Sequence, residues 1–329
     1  MVFGCSAFSI LANKYGLKNV LILGTLGYAP YSASLYVNNR YGTEWFVLFG
    51  GATCGIAASA LWAAEGAIAL GYADVKDRGK FTGIWLGLRE LGQLIGSSIQ
   101  LSLNVKNGQR GKVGYDTYLI LIGLQCLGLP LAFLISPPEK VIHRDGRKVP
   151  DPTKNKAVMK EFRRWWALLK TKQFYLLIPI LVGFNWNGTY QGIYLTKYFS
   201  VANENLYANA SPKVTLDWSN PGFGRGFAVN VLFRFMNESH YMFVYWILGT
   251  YFDDMETLTL AVGLMRSFES IGSCLSFGVG AAKVEPMVNL IIAFVMFGIT
   301  IPSTFAATFL VPERPVDLRK PEEDASSLE

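Results

Sequence analysis

Five ionisable residues stand inside apolar runs long enough to cross a bilayer: Glu65, Arg89, Glu90, Arg266 and Glu269. Holding such a group at membrane depth costs about 2.5–3.5 kcal/mol on insertion scales, so each should face a bundle interior or a water-filled cavity and find a partner there. Arg89 with Gln93, and Arg266 with Glu269, are one helical turn apart, the spacing at which side chains meet on a helix face. Each pair can therefore be satisfied locally. Two chemistries fit: a substrate or proton pathway near the midplane, or a neutralised pair that fixes helix packing. Glu65 has no charged neighbour on its own helix face. It needs a partner from another helix or a proton, which makes it the best single candidate for proton coupling. The alternative is a place near the interface, because the polar residues 73–80 follow closely. Arg234, Glu238 and His240 lie in the least apolar run and mark a broken or water-exposed helix, with no role assigned.

Other chemistries lack their residues. There is no Ser/His/Asp set, no phosphate-cradling loop before a helix and no nucleotide motif, so the sequence reads as a non-enzyme. Cys5, Cys54, Cys126 and Cys274 are widely spaced in apolar runs, and with only His143 and His240 they form no zinc set. No metal and no cofactor is expected. Eleven Lys or Arg crowd residues 137–172. Flanked by apolar runs, they read as a cytoplasmic loop obeying the positive-inside bias and not as a nucleic-acid surface.

The elements that must hold these groups are helices in a membrane. Charged residues are only 16% of the chain against about 25% in an ordinary soluble domain. Mean hydropathy is +0.28, so lipid must cover much of the outside. The fold class is all-α, a polytopic membrane helix bundle. Spans of about 20 apolar residues fall at 20–37, 45–72, 81–103, 115–136, 174–196, 227–252, 258–282 and 287–310, with a partial span at 1–11. Placing the basic loop in the cytoplasm puts 13–18, 73–80, 253–256 and the tail from 312 on the same side. It puts 38–44, 104–114, 201–225 and 283–286 on the other. Asn209-Ala210-Ser211 in that outer region is a glycosylation sequon weakened by Pro212. Arg163, Arg164, Trp165 and Trp166 suit a short interfacial helix. Gly51 with Gly55, and Gly83, Gly87, Gly92 and Gly96, have the spacing of close helix contacts.

One pattern occurs twice. Gly87-Leu88 precedes Ile95-Gly96-Ser97-Ser98 by six residues, and Gly263-Leu264 precedes Ile271-Gly272-Ser273-Cys274 by six. At this offset Glu90 matches Arg266 and Gln93 matches Glu269. Transporters built from two parallel repeats would show such an echo in equivalent helices.

The stretch Leu61-Trp62-Ala63-Ala64-Glu65-Gly66-Ala67-Ile68, then Asp77-Arg78-Gly79-Lys80-Phe81-Thr82-Gly83-Ile84-Trp85, resembles the Unc-ninety-three-like branch of the major facilitator superfamily, in its fungal form. Tyr115-x-Thr117-Tyr118, residues 134–138 and Tyr245-Trp246-x-x-Gly249 match too. Residues 11–18 resemble the superfamily loop between helices two and three, which is represented here by Asn13, Lys14 and Gly16. Asn13 stands where that loop usually has an acid, so its charge-based gating contact is not expected here.

The resemblance implies a twelve-helix design of which about eight or nine helices are present, with helices one, eight and nine absent from a shortened gene model or splice form. It implies an N-terminal half over 1–136, a cytoplasmic linker over 137–172, an incomplete second half over 173–311 and a cytoplasmic tail over 312–329. It implies a solute transporter, proton-coupled, whose partners are the lipid bilayer and a small solute or ion not readable from sequence. Its alternative is a non-transporting regulator or trafficking chaperone, whose partners would be other membrane proteins.

Overall fold

The computed structural model describes residues 1–104, 114–143, 146, 148–149, 157–199, 223–282 and 286–312. Asn209, the outer region 201–222 and most of the tail lie outside them, as do the basic residues at 144, 147, 154 and 156. The described residues are helical throughout and contain no strand, only one isolated bridge between Ile142 and Lys148.

Among the described residues twelve α-helices run in order: α1 (Val2–Tyr15), α2 (Leu17–Thr25), α3 (Tyr28–Tyr41), α4 (Glu44–Gly71), α5 (Arg78–Asn104), α6 (Tyr115–Cys126), α7 (Gly128–Leu134), α8 (Val158–Leu169), α9 (Lys172–Phe199), α10 (Phe223–Tyr251), α11 (Met255–Ala281) and α12 (Pro286–Thr308). Gly16 ends α1 at φ 92°, a conformation in which glycine alone is unstrained. Asp254 caps α11 by accepting from the Thr257 N–H.

Among the described residues, four runs are long and apolar enough to span a bilayer outright, Leu17–Tyr41 (α2 with α3), Glu44–Gly71, Tyr115–Leu134 (α6 with α7) and Met287–Thr308, and the bent pair of α8 with residues 172–192 of α9 makes a fifth if counted as one span. The long helices α5, α10 and α11 carry the other intramembrane charges besides Glu65, and these dilute their hydropathy. The exterior agrees with a lipid surround: Leu48, Leu134, Phe294 and Phe309 are 73–78% exposed, a density of bare apolar surface that water would not tolerate. α8 meets α9 at 78°, so it lies across the end of the bundle when α9 is upright.

The centre of the molecule is α11. It packs on α9, α1 and α4 and is tied to its neighbours by polar groups. Ser6 of α1 bonds Ser267, Asn185 of α9 donates to the Glu269 carbonyl, and Thr189 bonds Ser273. Such hydrogen bonds replace the hydrophobic drive that lipid removes.

The glycines that permit close approach are mostly others than spacing suggested. A Cβ at Gly51, Gly55, Gly87, Gly92 or Gly96 would meet nothing within 4 Å, and only Gly83 is confined, by Met242. Tight contacts include those of Gly24 and Gly27 against α4, of Gly66 against Tyr245 and Val262, and of Gly263 and Gly272 against α1 and α9. Spacing reports a helix face, but the neighbour decides whether that face is used.

Candidate functional site

α4 brings Trp62 and Glu65 to one face, one turn apart. α10 presents Glu238, Tyr241 and Tyr245 at spacings of three and four, and α11 presents Arg266 and Glu269 at three. These faces converge. The Arg266 guanidinium sits over Trp62 at 4.2 Å, Tyr241 at 5.3 Å and Tyr245 at 5.4 Å, measured to the ring centroids. It donates to the Glu269 carboxylate at 2.8 Å and stands 4.0 Å from that of Glu65. Both members of the i,i+3 pair are buried, with side chains 5% and 3% exposed. Three aromatic faces attract the cation while shutting out water.

A second cluster adjoins the first through Tyr241. Arg89 of α5 lies 4.6 Å from the same ring on which Arg266 packs. Arg89 donates to Glu238 of α10 at 2.7 Å and to Glu90 at 3.3 Å. The expected local pair between Arg89 and Gln93 is not formed. Gln93 instead accepts from Arg234 of α10 at 3.1 Å, because α5 faces α10 and charges there pair across the interface. Arg234 and Glu238, given no role in the sequence reading, thus join the site. Their i,i+4 spacing and the turn from Glu238 to Tyr241 were the readable signal.

Glu65, Glu90, Glu238 and Glu269 supply four carboxylates against the three guanidiniums of Arg89, Arg234 and Arg266. One negative charge is therefore unbalanced when all are ionised. Glu65 keeps 22% of its side chain exposed and lines a cavity of about 520 Å³ between α2, α4 and α5.

The loop residues form a separate centre at the linker end of the bundle. Asn13 is fully buried and donates to Glu161 of α8 at 2.8 Å and to the Glu256 carbonyl of α11 at 3.1 Å. An acid here would face the Glu161 carboxylate, so the amide is the residue that fits. Lys14 lies over Tyr15 at 5.2 Å, and Gly16 closes the helix. Arg164 of α8 pairs with Glu256 at 2.7 Å, Glu161 at 3.2 Å and Asp254 at 3.7 Å. Burial alone would lower its pKa, but these carboxylates hold it above the ordinary arginine value. Arg78 is buried and donates to the carbonyls of Leu70, Gly249, Phe252 and Asp253 and to the Asp253 carboxylate. It satisfies the last turns of α4 and α10 together, a cation placed at the negative ends of both helices. The motif around Arg78 was legible, but its role as a double cap was not, because the carbonyls at the end of α10 lie 171 to 175 positions away.

Comparison with known proteins agrees with this architecture. The family model described as Major Facilitator Superfamily matches residues 1–215. The "Notoamide biosynthesis cluster protein O'" of Aspergillus versicolor is 28% identical over 337 residues, covering 85% of this chain and 71% of that protein. A UNC93-like protein of Schizosaccharomyces pombe is 25% identical, covering 84% and 67%. UNC93-like protein 1 of Arabidopsis thaliana is 24% identical, covering 88% and 76%. Because the model matches well over half of its length, the chain belongs to the Major Facilitator Superfamily, and within it resembles the UNC93-like proteins.

Proposed function

We propose that the protein is a proton-coupled transporter of a small solute, with the network of Glu65, Arg89, Glu90, Glu238, Arg266 and Glu269 as its coupling site and Gln93 and Arg234 at its rim. The observation that carries this reading is Glu65. It stands 4.0 Å from a caged arginine, lines a cavity, and belongs to a network holding one more acid than base. A group so placed takes a proton or releases it according to what else balances the charge. A purely structural cluster would more naturally close its charge balance and leave no cavity against an acid.

In this reading the linker end faces the cytoplasm, the halves over 1–136 and 173–311 move against each other, and the contacts of Asn13, Arg78 and Arg164 latch that end. Lys14 and Gly16 complete the latch loop. Asn209 is a candidate acceptor for glycan on the opposite side. The test is proton uptake by proteoliposomes, read with an entrapped pH dye, for wild type, Glu65→Gln and Arg266→Ala. Wild type should acidify under an imposed potential, and both variants should not. Equal traces for all three would overturn the coupling role, and no trace with a broad solute panel would favour the regulator reading.

A further inference from the structure

We infer that the cavity beside Glu65 takes a hydrophobic organic monocation, which competes with a proton for the network's one unbalanced negative charge. This rests on the reading that Glu65 exchanges with its surroundings.

The cavity walls decide the body of the ligand. Leu21, Ile84, Leu88 and Ile135 are aliphatic, and Phe81 and Trp85 offer rings. The polar side chains that line it are Glu65 and Tyr72, and the Tyr72 hydroxyl is already donated to the Ser136 carbonyl at 2.8 Å. A sugar or other polyol would find nothing to satisfy its hydroxyls there. A volume of about 520 Å³ is in the range of drug-sized ligands and far above that of a bare ion.

The charges decide the sign. From α4 comes Glu65. From α5 come Arg89 and Glu90. From α10 come Arg234 and Glu238 with the neutral phenols Tyr241 and Tyr245, and from α11 come Arg266 and Glu269. Tyr28 of α3 and Cys5 of α1 also lie within electrostatic reach, and a phenol and a thiol are ordinarily uncharged at neutral pH. His240 is turned away, with Nδ1 2.6 Å from the Met236 carbonyl and its ring on Phe184, lining a different and smaller pocket. Arg266 is already held by Glu269 at 2.8 Å, so a cation at Glu65 need not strip it of its partner. An anion would add to the surplus charge. A neutral solute would leave it uncompensated. A divalent metal wants several oxygen ligands, and the cavity offers one carboxylate. The ring faces of Phe81 and Trp85 add cation–π attraction for a large, weakly hydrated cation.

The test is equilibrium dialysis of the purified full chain in detergent, with tetraphenylphosphonium as probe and with neutral triphenylphosphine oxide and tetraphenylborate as controls. The cation should bind at least about tenfold more weakly near pH 5.5 than near pH 7.5, where one-proton competition sets a ceiling of about a hundredfold. Neither control should bind comparably. Glu65→Gln should abolish binding at both pH values, and Leu88→Trp, which fills the wall without touching the charges, should weaken it while size exclusion reports a folded protein. Equal binding of the neutral analogue, no effect of either variant, or no pH dependence would overturn the inference. Proton uptake that depends on Glu65 without cation binding would sink this inference and leave the transport reading standing. Cation binding that weakens at low pH and is lost in Glu65→Gln, with no Glu65-dependent proton uptake in proteoliposomes, would do the reverse.

Discussion

α5 and α11 share a sequence pattern and differ in everything that packing decides. Each has Gly-Leu, then six residues, then Ile-Gly-Ser, with charges one turn from the first glycine. In α11 the glycines are pressed against neighbours, Gly263 on Ser9 and Gly272 on the Val182 carbonyl, and Arg266 and Glu269 are buried. In α5 a Cβ at Gly87 or Gly96 would meet nothing, Gln93 is exposed, and Leu88, Leu91, Leu94 and Ile95 are about half exposed or more. Nearly identical local chemistry has been put to two uses, a packed axle and a lipid-facing wall. The same glycine is a contact where a helix comes close and an open space where none does.

The largest test of that contrast is Arg266→Ala. It strands the buried Glu269 carboxylate, and losing one partner of a buried pair costs about 3–5 kcal/mol. The loss should appear as a lowered denaturation midpoint in micelles. Arg78→Lys comes next and tests whether α5 is loose along its whole length. A lysine cannot reproduce the fork that holds four carbonyls and Asp253, so a loss of about 2–3 kcal/mol is expected, showing α5 to be anchored at its first turn and open beyond it. Gly272→Ala should cost about 1–3 kcal/mol, because the new methyl meets the Val182 carbonyl and α9 must shift. Arg89→Ala should cost less than Arg266→Ala, about 1–2 kcal/mol, because its partners Glu90 and Glu238 are less buried than Glu269, with side chains 29% and 26% exposed against 3%. Smallest, and opposite in sign, is Gly96→Ala. With open space at its Cβ, it should stabilise α5 by about 0.5–1 kcal/mol through helix propensity. If the two glycine substitutions behaved alike in a thermal-shift comparison, the contrast between the helices would be wrong.

The fold class was legible because hydropathy is a property of the chain itself: runs too long and apolar for a soluble protein admit few alternatives. The division of 20–37 into α2 and α3, and of 115–136 into α6 and α7, was not legible. Those breaks fall at Leu26-Gly27 and Leu127, inside unbroken apolar runs. In the site, the i,i+3 pair of Arg266 and Glu269 was readable because both partners ride one helix. The pairing of Arg89 with Glu238, across 149 positions, was not.

What the sequence determined by itself was the inventory: which stretches are apolar enough to be membrane helices, which acids and bases they carry into the membrane, and that Glu65 would need a partner from elsewhere. Tertiary structure alone decided that the partner is Arg266, that three aromatic rings cage it, and that Asn13 is matched to Glu161. Local spacing fixes which side chains share a face, since the helix period is intrinsic to the backbone. Which faces meet depends on how rigid helices dock, and docking is set by contacts between residues that the chain order keeps far apart.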